Sequence, residues 1–298
     1  MMDIRYHVAT LVALFLALGL GVLIGSTIVG SDVLVEQQRK MIAQLETQFD
    51  KMRQEEEELS VRARDLATLV GHYENFGQAV LPPLVRGSLA GYQLAVVVTG
   101  GQQLPPGLLN TLTLAGVKVN TTTVVLPGMG LEDATLAAGA KEYFGTGEQA
   151  TVEQLRGMMA VAMARVITGA EAEADRQFLE DSGLVEFNGD FRLPVQGVLV
   201  LGGAADAGAD FSASLDAPLV QALLGAKKRV YGVESSRVAI SYMAGYQKLG
   251  ITTVDDVDLS PGQLALVLAM QGQSGSFGIK ETAKKFMPEL PAGLVGAA

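Results

Sequence analysis

The chain has 298 residues, 49% of them hydrophobic and 18% charged, with a formal net charge of -10, so it carries enough apolar content to bury the core of one or two domains. The acidic balance, with no long Lys/Arg run, excludes nucleic acid as the main partner, because phosphate binding takes clustered positive charge. There is no Cys, which excludes disulfides and thiolate metal sites and leaves the redox compartment open.

Residues 8–29 (VATLVALFLALGLGVLIGSTIV) carry no charge, and as a helix at ~1.5 Å per residue they reach ~33 Å, enough to cross a bilayer core. Arg5 and His7 precede the run; Asp32, Glu36, Arg39 and Lys40 follow it. Lys/Arg counts nearly balance, and the amino terminus adds a positive charge on the near side, which places the N-terminus in the cytoplasm and the bulk of the chain outside the cell membrane in a single pass. The alternative is a cleaved signal peptide. The run is longer than a usual signal core, however, and no A-x-A site follows it. Ala9, Ala13, Ala17, Gly21 and Gly25 recur every four residues. Ala13, Ala17, Gly21 and Gly25 are therefore a candidate helix-association face, the alternative being that small residues are simply common in membrane helices.

Ser31-Asp32 reads as a helix cap, and residues 34–76 fit a heptad. One seam column is Gln38, Leu45, Met52, Leu59, Leu66 and Tyr73; the other is Leu34, Met41, Gln48, Glu55, Arg62, Leu69 and Phe76, polar in its middle. The pattern predicts a weak coiled-coil stalk, ~60 Å long, suited to a homodimer and seamed by Leu45, Met52, Leu59 and Leu66. The run Glu55 to Glu58 reads as a solvated face. Gly71, Gly77 and Pro82-Pro83 are expected to end the helix. The predicted organisation is an anchor over residues 1–30, a stalk over 31–80 and an extracytoplasmic α/β domain over 84–290.

In that domain, short apolar runs alternate with helical stretches, which predicts a mainly parallel sheet. Strands are expected at 92–99, 117–125, 197–201, 229–234 and 251–254, and helices at 105–115, 131–143 and 151–168. Thr151 and Gln154 have capping-box spacing, and Ser260-Pro261-Gly262-Gln263 places Ser at the cap of a helix running to Met270.

Ligands of doubly wound sheets sit at the carboxyl ends of strands, here Thr99-Gly100-Gly101-Gln102 and Gly202-Gly203-Ala204-Ala205-Asp206. Neither turn holds a G-x-G-x-x-G or G-K-[ST] phosphate cradle, so the glycines read as tight turns. The histidines are His7 and His72, so no Ser/His pair forms in the domain. Asp255, Asp256 and Asp258 read as a solvated loop. Met158, Met159 and Met163 read as core filler. Arg237, in Glu234-Ser235-Ser236-Arg237, is a candidate contact for an anion or a partner carboxylate, or one end of a structural salt bridge. The residues indicate no catalytic, cofactor or metal site, and hence no enzyme.

The opening Ile4-Arg5-Tyr6-His7 with its apolar run ending in Gly19 and Gly21 resembles the start of the mycobacterial copper transport protein family (MctB-like). The stretches 249–255 (LGITTVD), 261–267 (PGQLALV) and 278–283 (GIKETA) are similar to the same family. The resemblance implies a role in copper transport or efflux, or one associated with a channel, and copper enters on that ground alone. A relative in cell separation, SteB, implies an alternative: a coiled-coil scaffold that recruits or regulates an envelope complex acting on peptidoglycan. A channel needs a polar pore lining, nearly missing between Val8 and Gly25; a scaffold needs an anchor, a stalk and a docking surface.

Overall fold

An uninterrupted apolar run with no proline dictates the first element, α1, Ile4–Val29. Its stretch Ile4–Ser26 is long and apolar enough to cross a membrane. In the computed structural model, which describes residues 4–29, 32–169 and 172–291, the chain falls into two compact units, Met1–Gly71 and His72–Ala298. Ser31, expected as a cap, lies outside the described residues. Helix α2 is a single helix, Asp32–Val85.

That second helix corrects the expected stop. Gly71 and Gly77 do not end it, and Pro82 and Pro83 lie inside it, although each proline removes an amide donor from the i−4 carbonyl. Packing outweighs that loss. Leu81 and Val85, 5% and 0% exposed, belong to the core of the α/β unit, and burying such side chains stabilises by about 1.5–3 kcal/mol each.

The α/β unit is built on a seven-stranded sheet in the order β3-β2-β1-β4-β5-β6-β7. The strands are β1 Gln93–Val98, β2 Lys118–Val125, β3 Val185–Gly189, β4 Gly197–Leu201, β5 Arg229–Val233, β6 Thr252–Val254 and β7 Ser276–Phe277. All neighbours pair in parallel except β2 with β3, which is antiparallel. The helices are α3 Leu108–Leu114, α4 Ala134–Phe144, α5 Val152–Ile167, α6 Glu173–Asp181, α7 Ala217–Gly225, α8 Met243–Lys248 and α9 Ser260–Met270.

Central strands buried on both faces need apolar residues at every position, and β1 and β4 show how the faces divide. Ala95, Val97, Val198 and Val200 enter one core with residues of α5, α7 and α8; Leu94, Val96, Leu199 and Leu201 enter the other with α3, α9 and the end of α2. Helices on both faces of a mostly parallel sheet make this an α/β architecture, as expected. The capping box at Thr151 and Gln154 forms with both of its bonds. Five elements, α6, α7, α8, the antiparallel β3 and β7, were not expected, and the strand at residues 197–201 is consequently the fourth.

The start of α9 is where expectation and structure part most usefully. Its boundaries match, but the N-cap residue is Leu259, without a side-chain bond, and Ser260 is the first helical residue. The cap comes instead from α2: Glu74 accepts from the Ser260 amide (3.0 Å to Oε2) and from its hydroxyl (2.6 Å to Oε1). Gly77 lies against the same residue, since a Cβ there would stand 2.7 Å from the Ser260 Cβ. Gln263, freed from capping, accepts from the Thr111 hydroxyl at 2.6 Å and donates to the Val257 carbonyl. A carboxylate at a helix N-terminus also meets the positive end of the helix dipole.

Glu74→Ala should therefore cost about 1–2 kcal/mol, measured by denaturant unfolding of the full chain in detergent. Ser260→Ala should cost less, because the amide bond survives, and the double variant should match Glu74→Ala alone.

Candidate functional site

The order of the sheet reverses at β1, which has β2 on one side and β4 on the other, and a crevice at such a switch point is where doubly wound folds place ligands. Here the chain fills it. Gly100 and Gly203 take positive φ, 63° and 92°, and a Cβ on Gly100 would collide with the Gly203 carbonyl. The two glycine turns thus close on each other.

Behind them lies Asp216, which ends a short π-helical turn, Ser212–Asp216, leading into α7. It is 0% exposed. Its Oδ2 accepts from the Thr99 hydroxyl at 2.8 Å and from the Tyr246 hydroxyl, while Oδ1 is buried without a partner among the described residues. The Tyr242 ring meets that of Tyr246 edge-on, and its hydroxyl accepts from the Phe211 amide and donates to the Ala209 carbonyl. Arg156 seals the side: it donates to the carbonyls of Met129 and Gly130 and stacks over Phe211, 4.5 Å from the ring centroid. Burial pushes the Asp216 carboxyl up to about 7, against the pull of the Tyr246 and Thr99 hydroxyls. Burial and the Asp216 charge push both tyrosines upward as well.

A second group of carboxyls lies past the ends of β5 and β6, and it overturns the reading of Asp255, Asp256 and Asp258 as a solvated loop. Asp255 and Asp256 are 1% and 0% exposed. Asp255 accepts from the Ile279 amide at 2.8 Å, and Asp258 takes the amide and hydroxyl of Ser236 at 2.6 and 2.7 Å. Among the described residues Asp256 has no hydrogen-bond partner at either oxygen, and it abuts Gly262, where a Cβ would strike it. Burial, reinforced by the charges of Asp255 and Asp258, raises the Asp256 carboxyl to about 7 despite Lys280. Glu234, 0% exposed, pairs with Lys280 at 2.5 Å and accepts from the Ser241 hydroxyl and the Tyr242 amide. A structural salt bridge does form at this turn, but through Lys280. Arg237 is exposed and makes no ion pair among the described residues.

The other expected site residues stand apart from these carboxyls. Ala13, Ala17, Gly21 and Gly25 are exposed on α1, with open space at both glycines. Leu45, Met52, Leu59 and Leu66 are 47%, 60%, 65% and 62% exposed on α2. Met159 and Met163 are buried in the core as expected, whereas Met158 is 39% exposed.

One apolar helix among the described residues fit to cross a membrane, a long second helix with an exposed apolar column and a closed α/β unit define a membrane-anchored α/β protein. The chain belongs to the family described as "Copper transport outer membrane protein, MctB", whose sequence pattern matches residues 1–288. It is 24% identical to the copper transporter MctB of Mycobacterium bovis over 313 aligned positions, covering 93% of this chain and 96% of that one. The copper transporter MctB of Mycobacterium tuberculosis matches with the same figures.

Met159, Met163 and the two histidines do not come together as a copper site. Soft copper favours thiolate, thioether and imidazole ligands, but Met159 and Met163 are sealed in the apolar core, and His7 and His72 lie on different helices. No group of three or more His, Cys, Asp or Glu residues among the described ones is arranged to hold a metal.

Both raised carboxyls carry a pH signature. Their folded values near 7 lie above the ordinary Asp value of ~3.9, so the folded chain keeps protons that the unfolded chain has released. Their contribution to stability is then fullest below pH ~4 and falls as pH rises to about 7, by up to about 1.4 kcal/mol per pH unit per group. Melting temperatures of the full chain across this range should fall with pH, and Asp216→Asn with Asp256→Asn should flatten that slope.

Proposed function

We propose that this copper-transport family member is a membrane-anchored, non-enzymatic envelope scaffold. It sits in the cell membrane by α1, with a cytoplasmic N-terminus and the bulk of the chain extracytoplasmic, and self-associates while docking an envelope protein partner. The exposed column of Leu45, Met52, Leu59 and Leu66 on α2 carries the reading. Burying side chains of that size against a partner helix stabilises by about 1.5–3 kcal/mol each, and a stalk that stayed alone would gain nothing from them. The small-residue face at Ala13, Ala17, Gly21 and Gly25 supports a second, lipid-embedded contact. Tethering makes the later contact intramolecular, so two weak interfaces support one dimer.

The second reading, passage of copper by the chain itself, is favoured by family membership. Against it, one helix forms a pore only by assembling copies, and residues 8–29 of that helix carry no charge. The sheet is covered by helices on both faces, unlike a lipid-facing barrel wall.

Full-length protein in mild detergent should run as a dimer by light scattering. Gly21→Leu with Gly25→Leu should weaken the dimer by steric exclusion, and Leu59→Asp with Leu66→Asp by placing unpaired charge in the seam. A persistent monomer, or indifference to both pairs of changes, would refute self-association; stoichiometric copper in the purified protein would restore the transport reading. A C-terminal reporter active only outside the cytoplasm should be active on this chain, and activity of a cytoplasm-only reporter there would reverse the topology.

A further inference from the structure

The column Leu45, Met52, Leu59 and Leu66 is flanked on each side by a possible second half of a seam, because residues three and four apart are neighbours on a helix. One flank is the expected one, Met41, Gln48, Glu55, Arg62, Leu69 and Phe76. The other is Val35, Ile42, Phe49, Glu56, Ala63 and Val70. In α2 the two flanks differ in a way that composition alone does not settle. On the first, both charged residues are engaged in ion pairs leading away from the column: Lys51 with Glu55 at 3.8 Å and Glu58 with Arg62 at 3.4 Å. Seating that flank in an interface would strip water from both pairs, and desolvating ions costs more than such pairs return. The second flank presents Val35, Ile42, Phe49 and Val70, 49–56% exposed, and a single charge.

We propose that a second copy of this chain packs in parallel and in register on the face formed by Leu45, Met52, Leu59 and Leu66 together with Val35, Ile42, Phe49, Ala63 and Val70. Glu56 is the one charged residue in that seam. The inference rests on the self-association reading above and specifies its contact. The occupant is a second copy because both copies enter the membrane by the same end, through α1, which gives their α2 helices a common direction. Charge favours the same register. In a parallel pair each seam residue faces its own counterpart, so the expected flank would oppose Glu55 to Glu55 and Arg62 to Arg62, whereas the proposed one opposes only Glu56 to Glu56. The positions bordering the proposed seam meet as Met41 with Glu46, Gln48 with Arg53, Glu55 with Ser60 and Arg62 with Ala67, and none of these is a like-charge pair. A lone polar residue in an apolar seam holds register at a cost in stability.

The natural chain has no Cys, so single cysteines can be placed in the full-length protein on a silent background and oxidised in membranes. Disulfides require Cβ atoms within about 3.5–4.5 Å. Leu59→Cys, Phe49→Cys and Ala63→Cys should cross-link into dimers, and Gln48→Cys and Arg62→Cys should do so at least about tenfold less. Glu56→Leu should tighten the dimer about tenfold, corresponding to ~1.4 kcal/mol, and Glu55→Leu should not. Cross-linking at 48 and 62 in place of 49 and 63 overturns the proposed face but leaves self-association standing. Equal capture at every position, or none at any of them, overturns both.

Discussion

Glu74 closes the first turn of α9 by taking both the amide and the hydroxyl of Ser260, and the layout of one half of the α/β unit follows from that contact. It holds the end of α2 against the sheet face where Leu81 and Val85 join Leu108, Leu112 and the buried residues of α9. It also explains Gly77, which lets two backbones approach where any side chain would push Ser260 away, and it frees Gln263 to tie α9 to α3 through Thr111. A helix end buried without a partner for its free amides is costly. Supplying that partner from another helix turns a local requirement into a tertiary tie.

What was legible in the sequence was whatever depends on neighbours in the chain. β1 and β4 are short apolar runs bounded by glycines, and α5 carries its own capping box; these elements match expectation. What was illegible depends on distant residues. Pro82 and Pro83 look like a stop until Leu81 and Val85 are seen in the core. Ser260 looks like its own helix's cap until Glu74 arrives. α6 escaped because only Asp175 and Leu179 of its residues are buried, too little for a periodic signal, and β3 because it is a five-residue edge strand with exposed Glu186 and Asn188. Asp255 and Asp256 read as solvated because acidic runs usually are; their burial comes from Gly262 and the segment after β7, neither adjacent in sequence.

The buried carboxyls of the α/β unit, Asp256 apart, find donors within it. Glu234, Asp255 and Asp258 are each satisfied by lysine, amide or hydroxyl donors, and Asp216 by two hydroxyls at one oxygen. Met159 and Met163 are buried in the same core as Tyr246, the hydroxyl partner of Asp216. Apolar surface left without a use within its own unit is concentrated on α1 and α2, which locates the outward-facing chemistry of the chain in its helices.

The Glu74–Ser260 bond joins residues 186 positions apart, and the central pair of strands, β1 and β4, is tied by contacts 103 positions apart. Contacts of such long range form slowly, because the intervening chain must be ordered first. During synthesis α1 and α2 are complete long before α9 exists, so the helical part of one chain can meet that of another while the α/β unit is still unfinished. Assembly and folding are then ordered in time by the length of chain between a carboxylate and the serine it caps.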